Sequence, residues 1–242
     1  MNFIGIIPAR HASSRFPGKP LAEIQGKTMI QRVYEQAKKS KMLSEVIVAT
    51  DDERIEKVVK NFGGKVVMTS INHQSGTDRC FEAVEKIGKG QYDVVVNVQG
   101  DEPFAHPEQI DLVCSSFKSA GVTISTLVKK IASVEELVNV NTPKVIFNTK
   151  KEAIYFSRSP IPFYRGKEPA EWIKQHSYYK HIGIYAYTVN TLTEITNLKS
   201  SPLEIAESLE QLRWIEHGYK INVEITELES LAIDTSEDLL KI

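Results

Sequence analysis

Val94-Val95-Val96-Asn97-Val98 is a run of β-branched residues, and Gln99-Gly100-Asp101-Glu102-Pro103 closes it with turn chemistry. A short apolar run with so little alternation fits a strand buried on both faces of a parallel sheet. Phe3-Ile4-Gly5-Ile6-Ile7, Val46-Ile47-Val48-Ala49 and Val66-Val67-Met68 read the same way. Between them lie helical stripes at i, i+3, i+4 and i+7: Ile30, Val33, Tyr34 and Ala37; Ile55, Val58, Val59 and Phe62; Cys80, Ala83, Val84 and Ile87. A fourth stripe, Ile110, Val113, Cys114 and Phe117, follows Pro107. Strands alternating with helices of this kind predict an α/β fold, a Rossmann-like, doubly wound, mostly parallel sheet.

The alternation breaks after about residue 120. Lys144–Phe147 and Ala153–Phe156 flank Asn148-Thr149-Lys150-Lys151 as a hairpin, and residues 180–187 read as a further strand. Residues 140–190 are therefore expected to form an antiparallel lobe inserted into the main sheet. Ser201-Pro202-Leu203-Glu204 predicts a capping box opening one helix that runs to near Gly218, with a core stripe of Ala206, Leu209, Leu212 and Ile215. A strand over 220–226 and a short last helix capped by Asp234 complete the reading.

Lys and Arg total 30 and Asp and Glu total 31, a net charge of −1, which argues against bulk nucleic-acid or membrane binding. Any anion site must come from local clustering of cations. No stretch approaches the ~20 apolar residues of a membrane helix, and the MNFIGIIPAR start lacks signal-peptide character. The expected location is the cytoplasm. The two cysteines, Cys80 and Cys114, sit on apolar stripes and are expected in the core.

Ligands of open parallel sheets bind beyond the carboxyl ends of the strands. The segment after the first strand, Pro8 to Leu21, holds Arg10, Arg15 and Lys19 with two hydroxyls, a glycine and two prolines. Such a loop suits a triphosphate, although a solvated basic loop has the same composition. Ser75-Gly76-Thr77-Asp78-Arg79 precedes a helix and is able to present backbone N–H groups to an anion, or simply to cap the helix through Thr77. Asp101, just past a buried strand, is placed as a Mg²⁺ ligand would be, and equally as an acidic turn. Neither G-x-x-x-x-G-K-[ST] nor G-x-G-x-x-G after the first strand occurs, which argues against P-loop NTPases and dinucleotide dehydrogenases.

Taken in order, PARHASSRFPGKPL, SGTDR, NVQGDEP, SRSPIP, HIGIYAY, ESLEQLRWIEHG and DTSEDL resemble the 3-deoxy-manno-octulosonate (Kdo) cytidylyltransferase family, the CMP-Kdo synthetases, over nearly the whole chain. The resemblance implies a single nucleotidyltransferase domain over 1–242 that uses Mg²⁺ and CTP to convert Kdo to CMP-Kdo and pyrophosphate for lipopolysaccharide biosynthesis. It implies nucleotide binding by Arg10, Ser13, Arg15, Lys19, Gly76, Arg79 and Gln99, and metal binding by Asp101 and Asp234. Arg10, Lys19, Asp101 and Asp234 are the implied catalytic set. Arg158, His181, Tyr185, Glu210 and Gln211 are the implied Kdo pocket, and His11 is assigned no role. The family is typically homodimeric, with the 140–190 lobe binding sugar and meeting the partner. Alternative readings are a CMP-sialic acid synthetase-like enzyme and a non-catalytic CTP-sensing module.

Overall fold

The structure is a computed structural model of the 242-residue chain and describes residues 1–12, 16–229, 232–233 and 235–241, with only the backbone of Ser236, Leu240 and Lys241. The first half runs β1 (Phe3–Ala9), β2 (Glu23–Ile24), β3 (Lys27–Thr28), α1 (Met29–Ala37), β4 (Leu43–Thr50), α2 (Glu53–Asn61), β5 (Val66–Met68), α3 (Gly76–Gly88), β6 (Val94–Asn97) and α4 (Pro107–Ser115). The second half runs β7 (Ile124–Lys130), α5 (Val134–Val138), β8 (Lys144–Phe147), β9 (Ala153–Ser157), α6 (Pro169–Gln175), β10 (Tyr179–Thr188), α7 (Val189–Ile195), α8 (Pro202–Glu207), α9 (Gln211–Glu216) and β11 (Asn222–Ile225).

Among the described residues the central sheet has the order β11-β7-β10-β6-β1-β4-β5, with β8 added to β10 and β9 to β8. β1 pairs in parallel with both β4 and β6, β4 with β5, and β7 with β11. β10 alone on that path runs antiparallel to its neighbours β6 and β7. Alternate residues feed two cores. Ile7, Ala9, Val94 and Val96 pack with Ile30, Val33, Ile55 and Ile110 on one face. Ile4, Ile6 and Val95 pack with Cys80, Ala83, Leu192, Leu212 and Trp214 on the other. With helices on both faces neither side of these strands meets water, which is why the runs are apolar throughout. Cys80 and Cys114 are both buried and unbridged.

Local signals start the helices where polar side chains reach orphan amides. Thr28 accepts from the Gln31 amide and Asp52 from the Arg54 amide. Ser75, not Thr77, caps α3, accepting from the Asp78 amide at 3.1 Å.

Three differences from the sequence reading have physical causes. β7 escapes it because the buried pair Ser125–Thr126 interrupts both apolar continuity and clean alternation. The helix expected over 202–218 is two: Ser208 adopts a left-handed φ of 51°, ending α8, and the chain re-enters a helix at Gln211. Ala206 consequently faces solvent while Leu209 and Leu212 are buried. Finally, residues 140–190 divide between two settings. β8 and β9 form the edge hairpin, but β10 sits in the middle of the main sheet because both its faces are buried, Ile184 and Ala186 in one core and Tyr185 and Tyr187 in the other. No helix among the described residues is long and apolar enough to cross a membrane.

Candidate active site

The strand order reverses between β1 and β6, since β4 and β5 extend to one side of β1 and β6 lies on the other. A doubly wound sheet opens a crevice at such a point, beyond the carboxyl ends of the strands. Here it is a cleft of roughly 240 Å³ lined by the segments that leave β1 and β6 and by the start of α3. Gly100 lets the two strand ends approach: a Cβ at that position would lie 2.8 Å from the Pro8 carbonyl oxygen.

Arg10 and Lys19, from the loop after β1, line this cleft together with Gln99, Gly100 and Asp101. The Lys19 ammonium donates to Asp101 Oδ2 at 2.8 Å and to the Ile233 carbonyl at 3.0 Å. The Ile233 amide in turn donates to the Asp101 carbonyl at 2.9 Å. Three distant segments are thus tied at one spot, one ending at the residue before Asp234. Ser13, Arg15 and Asp234 themselves lie outside the described residues. The loop is closed on itself by the Gly18 amide donating to the His11 carbonyl, and Gly18 turns at a φ of 73°, a conformation glycine adopts without strain.

Gly76 and Arg79 also line the cleft. Gly76 faces the Pro8 ring, which a Cβ would meet at 3.2 Å. Arg79 is 3% exposed, and its guanidinium is taken up by Asp51 at 3.0 Å and the Thr69 hydroxyl at 2.7 Å. It braces α3 against the ends of β4 and β5. Gln99 donates its amide to the Gly183 carbonyl at 2.6 Å. That carbonyl is available because β10 changes register between Ile182 and Tyr185.

The residues implied for the sugar fall into two groups. His181, Tyr185, Glu210 and Gln211 gather where β10 meets the α8–α9 corner. His181 and Tyr185 have ring centroids 5.2 Å apart, and Tyr185 lies edge-on to Trp214 at 5.2 Å. His181 Nε2 is 3.0 Å from the Thr126 hydroxyl, and burial pushes the imidazole down to about 3, so it is neutral at ordinary pH. Glu210 accepts from the Thr77 hydroxyl at 2.8 Å, and burial raises its carboxyl against that hydrogen bond. Gln211 is buried, and its Nε2 has no partner among the described residues. Arg158 stands apart: its guanidinium donates to the carbonyls of Glu207, Val140 and Ser208.

A second cleft, lined in part by Asp78, Glu204, Glu210 and Arg213, shares Gln74 and Ser75 with the first. The two are therefore neighbours across one turn of chain. Ser75, in the segment singled out from the sequence, lines the wall as well; the sequence reading missed His73 and Gln74, whose only signal was adjacency to that segment. Among the described residues no group of three or more His, Cys, Asp or Glu side chains is placed to cage a metal.

Comparison with known proteins covers the whole chain. The family model described as Cytidylyltransferase matches residues 4–222. A 3-deoxy-manno-octulosonate cytidylyltransferase of Parabacteroides distasonis is 61% identical over 100% of this chain and 96% of its own length. One from Bacteroides thetaiotaomicron is 59% identical over 99% and 96%. The solved structure of CMP:2-keto-3-deoxy-manno-octonic acid synthetase complexed with CTP superposes with a TM-score of 0.92 at 41% identity, covering 100% of this chain and 96% of that one.

Proposed function

The chain belongs to the 3-deoxy-manno-octulosonate cytidylyltransferase family, and from that premise we propose that it transfers CMP from CTP to the anomeric hydroxyl of Kdo, releasing pyrophosphate. The product, CMP-Kdo, is an activated sugar for lipopolysaccharide biosynthesis. The observation that carries the reading is the meeting of Lys19 and Asp101, 82 positions apart, at the carboxyl edge between β1 and β6. A cation and a carboxylate held together in a ligand crevice suit a metal–triphosphate substrate, each charge exchanging its partner for one on the ligand.

In this reading Arg10 and Lys19 hold the triphosphate with Ser13 and Arg15, each charge-assisted hydrogen bond contributing about 1.5–3 kcal/mol. Gly76 brings the start of α3 close to the nucleotide. Arg79 keeps that helix in place through Asp51, and Gln99 orients the strand end. Asp101 fits Mg²⁺, because its carboxylate is part-exposed at the cleft and Mg²⁺ takes one or two carboxylates alongside phosphate oxygens. Asp234 is the expected second ligand. Mg²⁺ held there supplies charge neutralisation at the α-phosphate.

The neutral His181, Tyr185, Glu210 and Gln211 offer mixed donors and acceptors for sugar hydroxyls; Arg158 would meet the carboxylate only by giving up bonds to the Glu207, Val140 and Ser208 carbonyls. Displacement at the α-phosphorus needs alignment and charge stabilisation rather than a covalent intermediate. Two clefts joined at Gln74 and Ser75 suit two substrates that must meet.

We further propose a homodimer that uses the 140–190 lobe, supported by Val140, Ile154 and Phe163, which lie exposed at 59%, 52% and 74%. A cytoplasmic location follows from the CTP requirement.

The test is pyrophosphate release by the full chain with CTP and Mg²⁺ across Kdo, sialic acid and no acceptor. Release with Kdo alone is expected. A preference for sialic acid would point to the sister synthetases, and CTP binding without release from any acidic sugar would point to a sensing module.

A further inference from the structure

One wall of the nucleotide cleft carries an imidazole whose orientation is fixed from behind. His73 lines the cleft beside Gln74 and Ser75, and the cations Arg10 and Lys19 line it too. Its Nε2 is hydrogen-bonded to a carboxylate oxygen of Glu82 on α3. Glu82 is itself anchored: the same oxygen accepts from the Ser70 amide at 2.8 Å, and the other oxygen pairs with Lys86 at 2.7 Å. Burial works against the charge on Glu82, but Lys86, the Ser70 amide and His73 outweigh it and hold the carboxyl at about 2. Glu82 is therefore an acceptor only, so Nε2 must carry a hydrogen. In the neutral ring Nδ1 is then an acceptor. No described residue hydrogen-bonds Nδ1.

The charges sort the cleft. The polyphosphate belongs with Arg10 and Lys19; Arg79, the cation that lines the cleft from α3, is taken up by Asp51, which leaves the wall of His73, Gln74 and Ser75 for the nucleobase. We infer that His73 distinguishes the base, accepting from the exocyclic amine of cytosine and refusing the carbonyl that uracil presents at the same place, with Glu82 as the positioning residue that fixes the tautomer. An acceptor facing a donor is satisfied; an acceptor facing an acceptor leaves two desolvated lone pairs opposed.

This inference rests on CTP being the substrate. It is tested by equilibrium titration of CTP and UTP with Mg²⁺ into the full chain, alongside pyrophosphate release with Kdo. The native chain is expected to bind CTP at least tenfold more tightly than UTP. His73→Phe keeps a ring in the wall but removes the acceptor, so CTP affinity falls roughly tenfold, the scale of one hydrogen bond. UTP affinity stays within threefold. Glu82→Leu removes the acceptor at Nε2, which frees the ring hydrogen to move to Nδ1. The CTP-to-UTP ratio then narrows or inverts while thermal unfolding still reports a folded chain. If both variants weaken CTP and UTP by the same factor, His73 only props the loop and the inference is overturned. If the native chain binds no CTP, or binds it without turnover of Kdo, the failure lies with the proposed function instead.

Discussion

Thr77 on α3 donates its hydroxyl to the Glu210 carboxylate across 2.8 Å, joining the helix that opens on the nucleotide cleft to the corner where α8 gives way to α9. Thr77 is 2% exposed, so water does not replace the bond if it is lost. The two proposed substrate regions are thus mechanically joined by one hydroxyl. Thr77→Val, which keeps the shape and removes the donor, is expected to cost about 1–3 kcal/mol of stability by leaving Glu210 short of a partner. It is also expected to raise KM for Kdo more than KM for CTP. Thermal unfolding and two-substrate kinetics check both.

Glu210 also sets a pH dependence. Burial raises its carboxyl above the ordinary value of 4.5. The native state therefore holds the proton at pH values where the unfolded chain has released it. Stability must fall as pH rises from the unfolded pKa through the folded one, and the penalty is complete above the latter. Glu210→Gln removes the penalty. Its Tm relative to the native chain should be more favourable at pH 8 than at pH 4.5. A difference that shrinks with rising pH would contradict the assignment.

Asp101→Ala is expected to reduce kcat by at least ~100-fold, the scale for removing a main electrostatic contact of a reacting phosphate. CTP affinity measured without Mg²⁺ should hold or improve, because Lys19 loses its carboxylate competitor. Chelating the metal should abolish turnover of the native chain, and near-normal turnover of the variant would remove Asp101 from the metal site.

Arg79→Met should destabilise the chain by about 3–5 kcal/mol, since it leaves Asp51, itself only 11% exposed, as an uncompensated charge. That corresponds to a Tm lower by on the order of 10 °C for a domain of this size. The double variant Arg79→Met with Asp51→Asn should recover part of the loss, and a double-mutant cycle isolates the pair. Additive effects would show that Arg79 braces α3 by some other route.

Gly100→Ala places a methyl against the Pro8 carbonyl, a backbone atom with no freedom to swing away. About 1–3 kcal/mol of destabilisation is expected. Because the strain falls between the ends of β1 and β6, activity should drop further than the folded fraction, as circular dichroism and pyrophosphate assays would report.

Much of this architecture is legible in the sequence wherever one local rule dominates. β1, β4, β5 and β6 announce themselves because both faces are covered, and α1 to α4 because each has one dry face. β7 is illegible because Ser125 and Thr126 are buried polar residues, and Thr126 earns its place only through partners far along the chain, the carbonyls of Ile182 and Ile184. The break at Ser208 is hidden because Ala206 and Leu209 keep a helical spacing across it. In the candidate site, Lys19 and Asp101 are readable as residues that follow strands. The pairing of Arg79 with Asp51, and of His73 with Glu82, depends on where β4, β5 and α3 stand in space, which no local pattern encodes.

β10 runs against its neighbours, so the start of this strand, not its end, meets the carboxyl edge of β6: Tyr185 sits opposite Asn97, and Gly183 lies beyond it beside Gln99. On the proposed assignment, the acceptor half of the crevice is thereby supplied by a stretch of chain separate from the loops that would serve the nucleotide. Exchanges in the segment leading into β10 should, on that assignment, change the choice of acceptor sugar while CTP affinity holds.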